Sequence, residues 1–70
     1  MTMLEIIQRH PEWTTRVQVE AWLTCVAREA GEWAESAMAE FGARIDDNGE
    51  ADVSHLPDDD VAAIRAAAIA

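Results

Sequence analysis

Apolar residues step by three or four along the middle of the chain, at Val19, Leu23, Val26, Ala30, Trp33, Ala37 and Phe41. That spacing is the signature of a helix with one buried side. Laid at 100° per residue, these positions with Trp22, Ala27, Ala34 and Met38 fill one half of the wheel, and Glu20, Thr24, Arg28, Glu29, Glu32, Glu35 and Ser36 fill the other. The pattern predicts a long central amphipathic helix with one side in the core and the other in water. Thr15 and Gln18 have the spacing of a capping box and mark one start for it; Pro11 marks an earlier one. Gly42 is the expected stop, and Gly31 is a place where the helix could break or admit a close backbone neighbour. The stripe also recurs at eleven residues, Trp22 with Trp33 and Val26 with Ala37, a period that suits a nearly straight helix.

Shorter elements flank this one. Thr2 and Glu5 form a second capping-box pair, and Met3, Leu4, Ile6 and Ile7 give the helix that follows an apolar side. It should end near Arg9, because His10 precedes Pro11, whose ring disfavours helical geometry in the residue before it. In the string IDDNGEADV the pair Asn48-Gly49 is a favoured hairpin turn between two short polar segments. Pro57 followed by Asp58, Asp59 and Asp60 reads as a helix start, since carboxylates there meet unpaired amides and the positive end of the dipole; Val61, Ile64 and Ala68 then form one narrow apolar stripe. The expected fold is all-α: one small domain over residues 1–70, three helices, and a turn or short hairpin near 43–54.

Composition bears on how such a fold holds together. Half of the 70 residues are hydrophobic, but 14 of them are alanine, and only 14 residues are Leu, Ile, Val or Phe. A chain of this size hides only about 60% of its extended surface on folding. With one cysteine no internal disulfide can form. A partner chain is the expected remedy: a homodimer through the seam Val19, Leu23, Val26, Ala30, Trp33, Ala37 and Phe41, where Ala27, Ala30, Ala34 and Ala37 would let two helices approach closely.

Charge is divided along the chain. The formal net charge is -9, with five arginines and no lysine. Residues 1–28 are neutral, holding three acids and three arginines. Residues 29–60 hold Glu29, Glu32, Glu35, Glu40, Asp46, Asp47, Glu50, Asp52, Asp58, Asp59 and Asp60, eleven acids against Arg44 alone. Direct binding to DNA or RNA backbones is disfavoured by such a balance. A basic protein surface is the partner it suits, and these eleven acids are the expected contact residues. No apolar run has the length of a membrane span, and the opening MTMLEIIQRH lacks the basic flank and apolar core of a signal peptide, so a soluble cytoplasmic protein is expected.

The chemical inventory points away from catalysis and cofactors. Cys25 lies beside the helical seam, not in a basic or glycine-rich pocket, and reads as a structural thiol. His10 and His55 stand alone, without HxxxH, CxxC or HExxH spacing, so no transition metal is assigned. Placing Gly49 at the sixth position of an EF-hand loop would put Arg44 first and His55 twelfth, neither of which can serve there. There is no phosphate-cradling glycine loop and no Gly-x-Ser-x-Gly turn, and abundant carboxylates are not a site without a pocket that separates their pKa values.

Two stretches resemble known patterns. Short helix, Thr-started helix, continuing helix and the turn-centred ARIDDNGEADV together resemble, over residues 4–53, the winged-helix layout of small regulators and phage proteins. That resemblance implies DNA binding through a helix and a wing, but Glu29, Glu32, Glu35 and an acidic hairpin stand where that family carries basic residues. LPDDDVAAIRAAA is similar to the final helix of small c-type cytochromes, without the CxxCH that attaches haem, and implies only a helix start. Three functional expectations follow. The first is a non-enzymatic acidic protein that occupies a basic groove on a nucleic-acid-handling partner, similar in size and charge to phage and mobile-element inhibitors of anti-CRISPR or DNA-mimic type. The second is a helical assembly or adaptor module anchored by Trp13, Trp22 and Trp33. The third is an acidic winged-helix-like regulator.

Overall fold

The structure, a computed structural model, describes residues 2–30 and 42–70. In chain order these form α1 (Met3–Arg9), α2 (Thr15–Ala30), β1 (Arg44–Ile45), β2 (Ala51–Asp52) and α3 (Asp58–Ile69). The protein is mostly helical but not all-α: β1 and β2 pair antiparallel, Arg44 opposite Asp52 and Ile45 opposite Ala51. The central helix is observed from Thr15 to Ala30. Its expected continuation through Phe41, with the Gly31 break, lies outside the described residues, as does the segment where a winged-helix reader would follow α2.

α1 begins where Thr2 caps it. The Thr2 hydroxyl accepts from the Glu5 amide at 3.2 Å and lies 3.3 Å from the Glu5 carboxylate, to which it donates. The carboxylate therefore closes on the hydroxyl instead of reaching back to the cap amide. Met3 and Ile6 are buried, whereas Leu4, expected on the same apolar side, is 51% exposed. α2 starts at Thr15 but is capped by Thr14, whose hydroxyl accepts from the Val17 amide at 3.3 Å. Gln18, freed from the expected capping box, is 4% exposed and donates its side-chain amide to the His10 carbonyl at 3.0 Å. The end of α1 is thus fastened to the first turn of α2, and a buried amide finds its acceptor.

The core lies between α2, the second strand and α3. Val19 and Leu23 of α2 meet Ala51 and Val53 from the hairpin and Val61 and Ile64 from α3, with Trp22, Val26, Ala27, Ala43 and Leu56 packed around them. Val61 and Ile64 are the inward side of α3, as the stripe on that helix predicts. Asp58, Asp59 and Asp60 occupy its first turn beside amides that the helix leaves unpaired. No helix among the described residues is long and apolar enough to cross a membrane.

Candidate functional site

The hairpin carries four of the eleven described acids, Asp46, Asp47, Glu50 and Asp52, so its construction decides where they point. Asn48 has no positive φ, which rules out the two-residue turn that Asn48-Gly49 predicts, because that turn needs φ above zero at both central residues. The loop closes one residue wider. Asp46 donates its amide to the Glu50 carbonyl at 2.9 Å, and Gly49 donates to the Asp46 carbonyl at 3.0 Å, with Gly49 at φ +78. This is a three-residue loop ending in a left-handed glycine bulge. One oxygen of the Asp46 carboxylate accepts from both the Asn48 and Glu50 amides, each at 2.9 Å. Asp46 is therefore a brace for the loop as well as a surface charge.

On its other side the second strand is held by side chains of α2. Thr24 accepts from the Ala51 amide at 2.9 Å while donating to the Glu20 carbonyl at 2.8 Å, and the Glu20 carboxylate accepts from the Val53 amide at 2.9 Å. Arg16 donates to the Val53 carbonyl and, at 2.7 Å, to the Asp58 carboxylate. Arg16, Glu20 and Thr24 are four residues apart and so form one ridge. That ridge supplies the hydrogen bonds a third strand would otherwise give. Glu20 and Thr24, expected on the watery side of the helix, are half-buried against the hairpin because backbone groups there need partners.

Of the acids expected to meet a partner, Glu29, Asp46, Asp47, Glu50, Asp58, Asp59 and Asp60 are exposed and Asp52 is half-buried. Asp58 pairs with Arg16, and Asp52 accepts from the Ser54 amide at 2.8 Å. The Ser54 hydroxyl and amide, followed by smaller contributions from Glu20 and His55, outweigh desolvation and hold the Asp52 carboxyl below the usual carboxylate range. Asp47, Glu50, Asp59 and Asp60 have no side-chain partner among the described residues. Glu32, Glu35 and Glu40 lie outside the described residues. Of the seam expected for self-association, Val19 and Leu23 are spent in the chain's own core and Val26 packs at its edge; Ala30 closes the described helix, and Trp33, Ala37 and Phe41 lie outside it.

Two open grooves flank α2. One, of about 650 Å³, lies between the starts of α2 and α3 and is lined by Thr14, Thr15, Arg16, Asp58, Asp59 and Val61 among others. Its only cation among the described residues, Arg16, is already shared between Val53 and Asp58. The other, of about 380 Å³, runs along α2 past Trp13, Val17, Ala21 and Arg28 to the hairpin edge at Glu50. Trp13 rests flat on His10, the rings 3.8 Å apart and 7° from parallel. Trp22 belongs to the core margin instead. Cys25 is half-buried, and no group of three His, Cys, Asp or Glu among the described residues is placed to hold a metal ion. Sequence reasoning missed the Arg16, Glu20 and Thr24 ridge; its only signal was the four-residue spacing of three polar side chains.

The chain matches no known family model, no curated protein and no solved structure.

Proposed function

We propose that this is a non-enzymatic acidic binding protein of the cytoplasm, whose hairpin loop and α3 start dock on a basic, nucleic-acid-handling protein and block it. The observation that supports this reading is the exposure of Asp47, Glu50, Asp59 and Asp60 without partners among the described residues, on a loop and a helix start held in place by other groups. Charges fixed in this way concentrate negative potential where a cationic groove can meet it. Small inhibitors of anti-CRISPR or DNA-mimic type work by that principle, and it needs no catalytic group.

The test is binding to nucleic-acid-handling proteins of the host, measured at rising ionic strength and in competition with DNA. Reversal of Asp47 and Glu50 to lysine breaks no described side-chain contact and leaves the charged start of α3 intact, and should weaken binding by at least about tenfold, as should a rise from about 0.1 to 1 M salt, which shortens screening from about 10 to 3 Å. Binding that survives high salt, the reversal and saturating DNA would refute the reading.

A further inference from the structure

The two edges of the hairpin are unequal. Arg44 pairs with Asp52 and Ile45 with Ala51, and beyond them Asp46 donates its amide to the Glu50 carbonyl at 2.9 Å. Hydrogen-bonded pairs alternate along an antiparallel ladder, so the N–H and C=O groups of Ile45 and Ala51 point outward, as do those of the next such pair, Ala43 and Val53. On the β2 side these groups are taken up: Thr24 holds the Ala51 amide, Glu20 the Val53 amide and Arg16 the Val53 carbonyl. On the β1 side the amides and carbonyls of Ala43 and Ile45 meet no partner among the described residues. Arg44 is exposed and Ile45 is 37% exposed, so solvent reaches this edge. An edge of that kind is a template for another strand.

We propose that the free edge of β1 accepts an extended segment of the basic partner as a third, antiparallel strand. The inference rests on the acidic docking reading and gives it a geometry. One residue opposite Ile45 and another two further on, opposite Ala43, complete four main-chain hydrogen bonds. Their side chains fall on the face of Ala51 and Val53, which are buried in the core, and apolar residues suit that face. The other face carries Arg44, Asp46, Glu50 and Asp52, three acids against one arginine, and Asp47 follows at the tip. The residue just before the first apolar one lies against Asp46 and is suited by lysine or arginine. The residue between the two apolar ones lies against Arg44, which disfavours a cation there. Charge thus selects both the occupant and its register: a basic residue followed by apolar residues at alternate positions, with the cation toward the tip. A second copy of β1 fits less well, because it brings four more acids with its one arginine.

The probe is the synthetic peptide Lys-Lys-Val-Thr-Val with capped ends, titrated into the isotope-labelled full chain and followed by NMR. It should bind with a dissociation constant of about 1 mM or below, shift the Ala43 and Ile45 amides and slow their hydrogen exchange. The same peptide N-methylated on both valines keeps its charge but loses the donors to the Ala43 and Ile45 carbonyls. It should bind at least about tenfold more weakly. Equal binding of the two peptides, or shifts confined to Asp47 and Glu50, overturns strand addition and leaves acidic docking standing. Absence of binding at about 2 mM peptide overturns it too, as do Ala43 and Ile45 amides already protected in the free chain, since the edge would then be covered. Edge binding that is unchanged between about 0.1 and 1 M salt overturns the basic occupant, and with it the acidic reading, while the strand geometry holds.

Discussion

Replacing Glu20 by alanine tests whether α2 really serves as the hairpin's missing neighbour. The Glu20 carboxylate accepts from the Val53 amide at 2.9 Å, and Val53 is wholly buried. Removal of the acceptor leaves an amide without a partner at the edge of the core. A hydrogen bond to a charged group contributes about 1.5–3 kcal/mol; because Glu20 is only half-buried, the lower part of that range, about 1.5–2 kcal/mol, is expected. For 70 residues the whole stability is on the order of 4–10 kcal/mol, so the loss is a large share of it. In a domain of this size each kcal/mol moves Tm by about 4–8 °C, which predicts a fall of about 6–16 °C. Glu20→Gln keeps an acceptor oxygen and should cost less than about 1 kcal/mol. Thermal and urea unfolding, followed by circular dichroism and by tryptophan fluorescence, would measure both variants. If Glu20→Ala lies within about 0.5 kcal/mol of the wild type, the Val53 amide does not depend on α2 and the ridge argument is wrong.

Further outcomes follow from neighbouring groups. Thr24→Val should destabilise by about 1 kcal/mol, and its effect should not add simply to that of Glu20→Ala, since the two side chains hold the Ala51 and Val53 amides of one short segment; a double-mutant cycle in urea would show the coupling. Gly49→Ala meets no atom within 4 Å but must hold φ +78, so a loss of about 1–2 kcal/mol from backbone strain alone is expected by the same unfolding measurement. Asp52 should make the protein acid-sensitive. Its folded pKa is below the ordinary 3.8, so its contribution is present above that value and is lost as pH falls through the lowered one. Urea midpoints measured from about pH 5 to pH 2 should fall less steeply for Asp52→Asn than for the wild type. Asp58→Asn, by contrast, breaks an ion pair whose carboxylate side chain is 98% exposed, and should change stability by less than about 1 kcal/mol.

What could be read from the sequence was whatever local rules settle. Thr2, Pro11, Pro57 and the three aspartates after it mark helix ends through geometry and dipole, and those ends are where α1 and α3 begin or stop. Val19 and Leu23 repeat at helical spacing and are buried, as expected of a core face. The wheel could not show that a strand would lie against Glu20 and Thr24, because that depends on a segment 27 to 33 residues further along. Hydropathy assigned both to water, and the need to satisfy amides overrode it. Asn48-Gly49 pointed to the right loop with the wrong turn, because the Asp46 carboxylate captures two amides and widens the closure. The acids were legible as charges. Which of them are structural braces, such as Asp46, and which are unengaged, such as Asp47, Asp59 and Asp60, was set by contacts that composition does not record.

The ridge on α2 grips main-chain atoms: two amides and a carbonyl between Ala51 and Val53. A grip of that kind is indifferent to the identity of the side chains it holds. The five residues at the far end, Asp46 to Glu50, are closed by their own bonds, and none of the α2 bonds reaches them. The tip is therefore a cassette on a fixed mount. Loops of other length or charge could be grafted there at a small entropic cost, since each doubling of a flexible loop costs about 0.6 kcal/mol. Recognition could then diversify at the tip while the scaffold beneath it keeps a single design.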